Sequence, residues 1–142
     1  MKINPYLNFD GDAEEAFSFY KSVFGGEFSA FMKMGEAPEA EKLPKEEQSR
    51  VMHISLPIGK DTILMASDTM PSMGQTLTKG NTNYISIHPE SREEADRLFN
   101  GLSEGGEIEM PMEDQFWGDY FGSFTDKFGI NWMVNYNPAN AE

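Results

Sequence analysis

The sequence contains no cysteine, few basic residues and no long apolar run. Without cysteine, a disulfide framework, a thiolate metal site and a cysteine nucleophile are all excluded. The 24 acidic and 11 basic side chains give a formal net charge of −13, which disfavours nucleic acid and anionic membranes as partners. No apolar stretch approaches the ~20 residues of a membrane span, and the N-terminus shows no secretory signal pattern. We therefore expect a cytoplasmic protein that binds neither nucleic acid nor membrane.

The chain is long enough for one domain with its own core, which we place at residues 1–142. Within it, "YLNFDGDAEEAFSFYKSVFGGE" (6–27) and "YISIHPESREEADRLFNGLSEGGE" (84–107) repeat one pattern. Each begins with a short apolar strand, continues with a capping-box pair and an amphipathic helix, and ends at Gly-Gly. The capping pairs are Asp12 with Glu15 and Ser91 with Glu94. The pattern indicates an internal duplication, with chance similarity of two amphipathic helices as the alternative.

Strand-forming sequence follows each helix. The stretches 50–68 and 119–136 each read as strand, glycine-containing turn and strand, and Asp126 is expected to cap the second turn. Each half thus has the order β-α-β-β-β, which predicts an α+β fold of two tandem modules. We place the first module at 1–68, a linker at 69–81, the second module at 82–137 and a tail at 138–142. The polar segment 35–49 is expected to be a solvated loop, with an ordered lid as the alternative.

Several motifs resemble the vicinal oxygen chelate superfamily. They are "FSFYKSVFGGE" in the first helix, His53 in Met-His-Ile, the run Phe116-Trp117-Gly118 and "DKFGINWMV" near the C-terminus. This superfamily includes glyoxalase I, fosfomycin and bleomycin resistance proteins and extradiol dioxygenases, and the motifs are similar to those of its PhnB-like branch. The resemblance implies that the two modules form a cup-shaped mixed sheet around a cleft, the glyoxalase/bleomycin resistance/dihydroxybiphenyl dioxygenase fold. It also implies a homodimer.

The resemblance also bears on cofactors. Superfamily members with chemistry hold a divalent metal through side chains of the first and last strand of each module. The matching positions in this sequence are Asn4, Ile63, Thr82 and Met133. None of them is a strong donor for a hard divalent ion, so we predict no metal cofactor and a cleft lined for apolar contact. The alternative is a metal-dependent glyoxalase, dioxygenase or antibiotic-resistance-type enzyme with a divalent metal and a non-standard ligand set that includes His53.

Other side chains are candidates for contact with a small molecule. The turn-like "QFWGDYFG" places Trp117 where it can cover a ligand, and its glycines permit close approach of the backbone. Asp68 ends a strand and Asp114 precedes the aromatic stretch, so either carboxylate can face the mouth of the cleft. The predicted ligand-binding residues are Trp117, Asp68, Asp114, Tyr120 and Met133. The alternatives are that the aromatic side chains fill the core and that both aspartates are solvated turn residues.

His53 is the candidate catalytic residue. It lies mid-strand in "RVMHISL", where it shares the more polar face with Val51 and Ser55. If that face lines the cleft, the imidazole can act as a general base or accept a hydrogen bond from a ligand. The alternative is a structural histidine paired with a neighbouring carboxylate. His88, at a strand end before Pro89, is expected to be exposed and inert.

These observations predict a protein that binds a small, partly apolar molecule in the cleft between its modules. Whether it catalyses a reaction is left open by the sequence. No glycine-rich loop follows a strand and opens a helix, and there is no Rossmann-type alternation, so a site for a methyl donor is not expected. The remaining alternatives are the metal-dependent enzyme described above and a structural or regulatory dimer with a vestigial cleft.

Overall fold

The computed structural model describes residues 1–140, and within them the order β-α-β-β-β occurs twice, with one short extra helix in the first half. The helices are α1 (Ala13–Phe24), α2 (Lys45–Gln48) and α3 (Arg92–Ser103). The strands are β1 (Tyr6–Phe9), β2 (Ala30–Lys33), β3 (Val51–Ile58), β4 (Thr62–Asp68), β5 (Ile85–Ile87), β6 (Glu107–Asp114), β7 (Tyr120–Thr125) and β8 (Asn131–Tyr136). The predicted α+β class with two such modules is confirmed. None of these helices is long and apolar enough to cross a membrane.

The two sheets have the same strand order. The first sheet runs β1-β4-β3-β2 and the second runs β5-β8-β7-β6. In each sheet the first strand of the module pairs in parallel with the last, and the other neighbours are antiparallel. The chain divides into two compact units, residues 1–78 and the residues from 79 onward, and this division falls within the segment predicted as the linker. The predicted tail, 138–142, begins with a 3-10 turn at Pro138–Asn140, and its residues 141–142 lie outside the described part of the chain.

The first module forms its core between α1 and its sheet. The apolar stripe of α1 buries Ala16, Phe17 and Tyr20, which lie on one side of the helix because they recur at helical spacing. Strands β3 and β4 contact α1 and supply alternate residues to the same core. The fully buried strand residues of this core include Phe9, Ile54, Leu56, Leu64 and Ala66.

The two long helices begin differently, and neither predicted capping box forms in full, since the Glu94 carboxylate accepts from the Glu90 N–H and not from that of Ser91. Ser91 caps α3 as predicted, since its hydroxyl accepts a hydrogen bond from the Glu94 N–H at 3.0 Å. Asp12 makes no side-chain capping bond. The first turn of α1 is instead held by Asp68, whose Oδ1 accepts hydrogen bonds from the N–H groups of Gly11 and Ala13 at 2.9 and 3.0 Å. A distant carboxylate has replaced the local cap.

The polar segment 35–49 is exposed over most of its length, as its composition predicts, but it is more ordered than a loop. It contains the 3-10 turn Ala40–Lys42 and the helix α2, and Glu47 of α2 is buried. The burial is possible because both carboxylate oxygens of Glu47 accept hydrogen bonds from Ser72, one from its N–H at 2.7 Å and one from its hydroxyl. The segment is therefore attached to the chain that follows β4.

The second module packs α3 against its own sheet around Trp132. Phe99 of α3 meets Phe124 of β7 edge to face, with ring centroids 5.0 Å apart. The indole Nε1–H of the fully buried Trp132 donates to Oδ2 of Asp126 at 2.8 Å. Oδ1 of Asp126 accepts hydrogen bonds from the N–H groups of Phe128 and Ile130, so the predicted cap of the β7–β8 turn is confirmed.

Candidate functional site

Each sheet has one face toward its long helix and one face away from it. In the first sheet, Ile54 and Ala66 are opposite each other and fully buried on the α1 side, so their strand neighbours point the other way. The side chains that point away from α1 include Tyr6, Asn8, Met32, His53, Ser55, Met65 and Ser67, and we call this set the first far face. Val51 does not share this face with His53 as predicted. It is fully buried, because an irregularity in the β2–β3 pairing interrupts the alternation.

His53 is half-buried on the first far face and pairs with a tyrosine. Its Nδ1 lies 3.3 Å from the hydroxyl oxygen of Tyr6, and the two ring centroids are 5.8 Å apart. When Tyr6 donates to Nδ1, the neutral imidazole carries its proton on Nε2 and can donate from there. The pair of His53 and Tyr6 therefore has the groups needed to bind or shuttle a proton. The surface around it is partly apolar, since Met32 of β2 is the cross-strand neighbour of His53.

Met133 lies on the corresponding face of the second sheet. Its cross-strand neighbours are Ser86 of β5 and Ser123 of β7. Trp132 and Val134, on either side of it in the strand, are buried against α3, so Met133 points away from that helix. We call Ser86, Met110, Glu113, Phe121, Ser123, Met133 and Asn135 the second far face. It combines two thioethers and an aromatic ring with two hydroxyls, an amide and a carboxylate.

Asp114 and Tyr120 lie on the other side of the second sheet, toward α3. They are cross-strand partners, and Arg92 at the start of α3 joins them. The guanidinium donates to both oxygens of Asp114, at 2.9 and 2.7 Å, and its Cζ lies 3.8 Å from the centroid of the Tyr120 ring. The Tyr120 hydroxyl donates to Asp96 of α3. These contacts account for both residues as parts of a structural cluster, and we leave them out of the proposed ligand contacts.

The charges in this cluster shift three pKa values. The hydrogen bonds from Arg92 lower the pKa of the Asp114 carboxyl, and the same bonds raise the pKa of Arg92. The hydrogen bond to Asp96 raises the pKa of the Tyr120 hydroxyl, and burial adds to that rise. All three shifts favour the protonation states that hold the cluster together near neutral pH.

Asp68 does not face a ligand site. It is buried at the end of β4, and its Oδ2 accepts a hydrogen bond from the Val51 N–H at 2.8 Å, while Oδ1 accepts the two N–H groups at the start of α1. Three backbone donors thus occupy the carboxylate. Asp68 is therefore a structural anchor and not the carboxylate at a cleft mouth that we predicted. The sequence alone does not show which backbone donors meet at this strand end.

Trp117 is in the turn between β6 and β7, together with Phe116. Phe116 is 98% exposed and Trp117 is 52% exposed. Their ring centroids are 5.0 Å apart with planes at 88°, and the Trp117 ring also lies 6.4 Å from Phe121 of the second far face. The turn is closed by hydrogen bonds from the Gln115 N–H to the Asp119 carbonyl and from the Gly118 N–H to the Gln115 carbonyl. We call residues 115–119 the aromatic turn.

The positions that match the superfamily's metal ligands do not fit a hard divalent ion. The Oδ1 of Asn4 accepts a hydrogen bond from the Ile63 N–H at 3.0 Å, so these two positions meet but the amide oxygen is already engaged. Ile63 offers no side-chain donor, and Met133 offers a thioether, which is a soft ligand. Within residues 1–140, no three His, Asp or Glu side chains group closely enough to hold a metal ion.

Comparison with known proteins identifies the family. The family model of the Glyoxalase/Bleomycin resistance protein/Dioxygenase superfamily matches residues 2–134. The chain belongs to this superfamily. Protein YjdN of Escherichia coli (strain K12) is 35% identical to this chain over 143 residues, which cover 95% of each of the two chains.

Two solved structures are similar to this glyoxalase/bleomycin resistance superfamily member along nearly its whole length. Protein PA1353 from Pseudomonas aeruginosa is 41% identical with a TM-score of 0.85, over 96% of this chain and 98% of that one. A Bacillus cereus protein described as a putative 3-demethylubiquinone-9 3-methyltransferase, PhnB protein, is 26% identical with a TM-score of 0.77, over 96% and 99%. These similarities are consistent with the PhnB-like branch that the motifs indicate.

Some residues of this superfamily member's candidate site were not found from the sequence. Tyr6 is the partner of His53 across 47 residues, and Arg92 joins Asp114 to Tyr120 from another element. Neither contact has a local sequence signal, since each depends on strand register. The exposure of Phe116 does have a local sequence signal, because Phe116 lies outside the alternating residues of β7, in a turn that contains a glycine.

The Tyr120 hydrogen bond predicts a pH-dependent stability difference. We expect Tyr120→Phe to lower the free energy of unfolding by about 1 kcal/mol at pH 7, because the Asp96 carboxylate loses its donor. The folded-state pKa of Tyr120 is raised, so its contribution is fully present below the unfolded pKa of about 10 and is lost as pH rises through the folded pKa. The gap between wild type and Tyr120→Phe should therefore narrow in urea unfolding as the pH rises above about 10. A constant gap over that range would contradict the assignment.

Proposed function

We propose that the protein binds a small, partly apolar molecule on the second far face, with the Trp117 ring lying against it. The observation that carries the proposal is the position of Trp117: half exposed on a closed turn, with its ring beside Phe121. Exposing a large aromatic side chain to water is unfavourable, and stability of the module does not require it because the core is formed by other residues. A ligand that covers the indole would remove this apolar surface from water, which is favourable.

The composition of the second far face suits such a molecule. Phe121 and Met133 offer apolar surface, and the thioether adapts to different shapes. The exposed hydroxyl of Ser86, cross-strand from Met133, can fix the orientation of a polar group, whereas Ser123 on the other side of Met133 is buried. Such a mixture of apolar and polar side chains suits a molecule that has both kinds of surface.

We also propose that binding depends on side chains and not on a resident metal. The poor fit of Asn4, Ile63 and Met133 to a hard ion supports this part of the proposal. In the first module, His53 is the side chain that we propose for a ligand hydrogen bond or for proton transfer, because its ring is oriented by Tyr6 and half exposed. Catalysis is not assigned, because the pair of His53 and Tyr6 does not by itself define a reaction.

The binding proposal predicts a large loss of affinity on truncation of Trp117. In a fragment screen by ligand-observed NMR, we expect several neutral aromatic or aliphatic fragments to bind wild type and to lose about five- to thirtyfold in affinity with Trp117→Ala, since a stacking indole contributes about 1 to 2 kcal/mol. Met73→Ala is the matched control, because Met73 is also an exposed large apolar residue but lies in the first module. It should leave affinities unchanged.

Two results would overturn the proposal. Equal fragment binding by wild type and Trp117→Ala would show that the aromatic turn is not part of a site. One tightly held zinc, nickel, manganese or iron ion per chain, measured by plasma mass spectrometry on untagged protein purified without chelator, would overturn the metal-independent part. Such a bound metal would favour the alternative of a metal-dependent enzyme whose ligands are not the positions that match the superfamily's ligands.

A further inference from the structure

The aromatic turn forms a corner of three rings. Phe116 and Trp117 stand almost perpendicular, and the Trp117 and Phe121 planes meet at 61°. Phe116 is nearly fully exposed and Trp117 half exposed, so surface of both rings is open to solvent. The faces of aromatic rings carry partial negative charge, and several faces around one space attract a cation more strongly than one face does.

The corner is held in place before any ligand arrives. The turn is closed by its own backbone hydrogen bonds, and Gly118 supplies the positive φ of 101° that such a closed turn needs. At the base of the turn, Asp114 and Tyr120 are cross-strand partners, and Arg92 binds both. The backbone of the turn is therefore ordered before a ligand binds, which reduces the backbone entropy lost on binding.

The charges around the corner are negative. Glu113 lies directly across from Phe121 on the far face, and Asp119 belongs to the turn itself. Among the described residues neither carboxylate forms an ion pair, whereas the nearby Arg92 is engaged with Asp114 and with the Tyr120 ring. The net charge of −13 adds a long-range attraction for cations. An anion is therefore disfavoured at this place.

From the geometry and the charge together, we propose that the aromatic turn binds a small organic ammonium cation, with its alkylated nitrogen in the corner of Phe116, Trp117 and Phe121. This inference rests on the proposed function and narrows it from a partly apolar molecule to a partly apolar cation. Alkylated ammonium groups suit the corner because they are weakly hydrated and offer apolar surface as well as charge.

Isosteric probes separate the charge from the apolar contact. We would titrate choline, its neutral isostere 3,3-dimethylbutan-1-ol and the anionic 3,3-dimethylbutanoate into ¹⁵N-labelled protein. The readout is the indole N–H signal of Trp117, with the indole of the buried Trp132 as an internal reference in the same spectrum. We expect choline to bind about three- to tenfold more tightly than the alcohol, and the carboxylate to bind most weakly.

Variants test the aromatic part. Phe116→Leu keeps apolar bulk but removes one ring face, so it should remove most of the preference for choline while binding of the neutral alcohol remains. Phe31→Leu, at an exposed phenylalanine of β2, is the matched control and should leave the choline preference intact. The preference should also decrease as salt is raised, since part of it is electrostatic.

The outcomes distinguish this inference from the proposed function. If the neutral alcohol binds as tightly as choline, the cation inference is wrong and the proposal of a partly apolar ligand stands. If no probe moves the Trp117 signal and the neutral fragments fail as well, both are wrong. If the Trp117 signal changes on dilution of the protein alone, a second copy of the chain covers the corner, and the cation inference is overturned.

Discussion

Gly106→Ala is expected to destabilise the second module by at least about 3 kcal/mol. Gly106 lies just before β6, where the chain passes close to the end of β7. A Cβ added there would overlap the carbonyl oxygen of Thr125 and stand 2.9 Å from the backbone atoms of Asp126. Backbone cannot rotate away as a side chain can, so either β6 or the β7–β8 turn must move. Because Asp126 anchors that turn and the Trp132 indole, the displacement would reach the core.

Urea unfolding followed by tryptophan fluorescence measures this effect. Gly80→Ala is the matched control, since a Cβ at Gly80 has no atom within 4 Å and should change stability by less than about 0.5 kcal/mol. A Gly106→Ala protein with the same unfolding midpoint as wild type would mean that the approach of β6 to β7 is looser than the structure has it.

The sequence allowed the architecture to be predicted because the signals for it are local. Helical spacing of apolar residues marked α1 and α3, and alternating residues around Gly59 and Gly129 marked the hairpins β3–β4 and β7–β8. The Gly-Gly pair after α3 was correctly read as a stop. The second glycine of the pair, Gly106, is required for a different reason. It packs closely against another strand, where a side chain would not fit, and is not needed to end the helix.

The errors came from contacts between distant parts of the chain. The start of α1 is held by Asp68, more than 50 residues away, and Glu47 is buried through Ser72, 25 residues away. In both cases a carboxylate that composition assigns to solvent is satisfied by backbone and side-chain donors of another element. Local sequence gives no sign of which donors will be present.

The division of the candidate site between two faces could have been predicted in part. Side chains alternate along a strand, so Tyr120 and Phe121 must point to opposite sides of the sheet. Phe124 is a core residue, and an even spacing from it puts Tyr120 on the α3 side, leaving Phe121 on the far face with Trp117. The alternation of side chains thus predicts that the adjacent residues Tyr120 and Phe121 lie on opposite faces. The pairing of His53 with Tyr6 could not be predicted in this way, because it depends on the register of three strands.

Asp68→Asn is expected to destabilise the first module by about 3 kcal/mol. The carboxylate accepts three backbone hydrogen bonds at 2.8 to 3.0 Å in a buried position, from Gly11, Ala13 and Val51. An asparagine of the same shape has one acceptor oxygen, and its NH₂ group would face a backbone donor wherever it points. At least one buried N–H is then left without an acceptor, and the remaining bonds lose the strength that the negative charge gives them.

Hydrogen exchange locates this loss, because the amides of Ala13 and Val51 should exchange much faster in Asp68→Asn than in wild type, ahead of amides in the second module. Asp61→Asn serves as the control: Asp61 is exposed in the β3–β4 turn, and the same change of charge there should alter stability by less than about 0.5 kcal/mol. If Asp68→Asn retained wild-type stability and exchange, the carboxylate would not be the anchor of α1, and its place among the ligand-binding candidates would have to be restored.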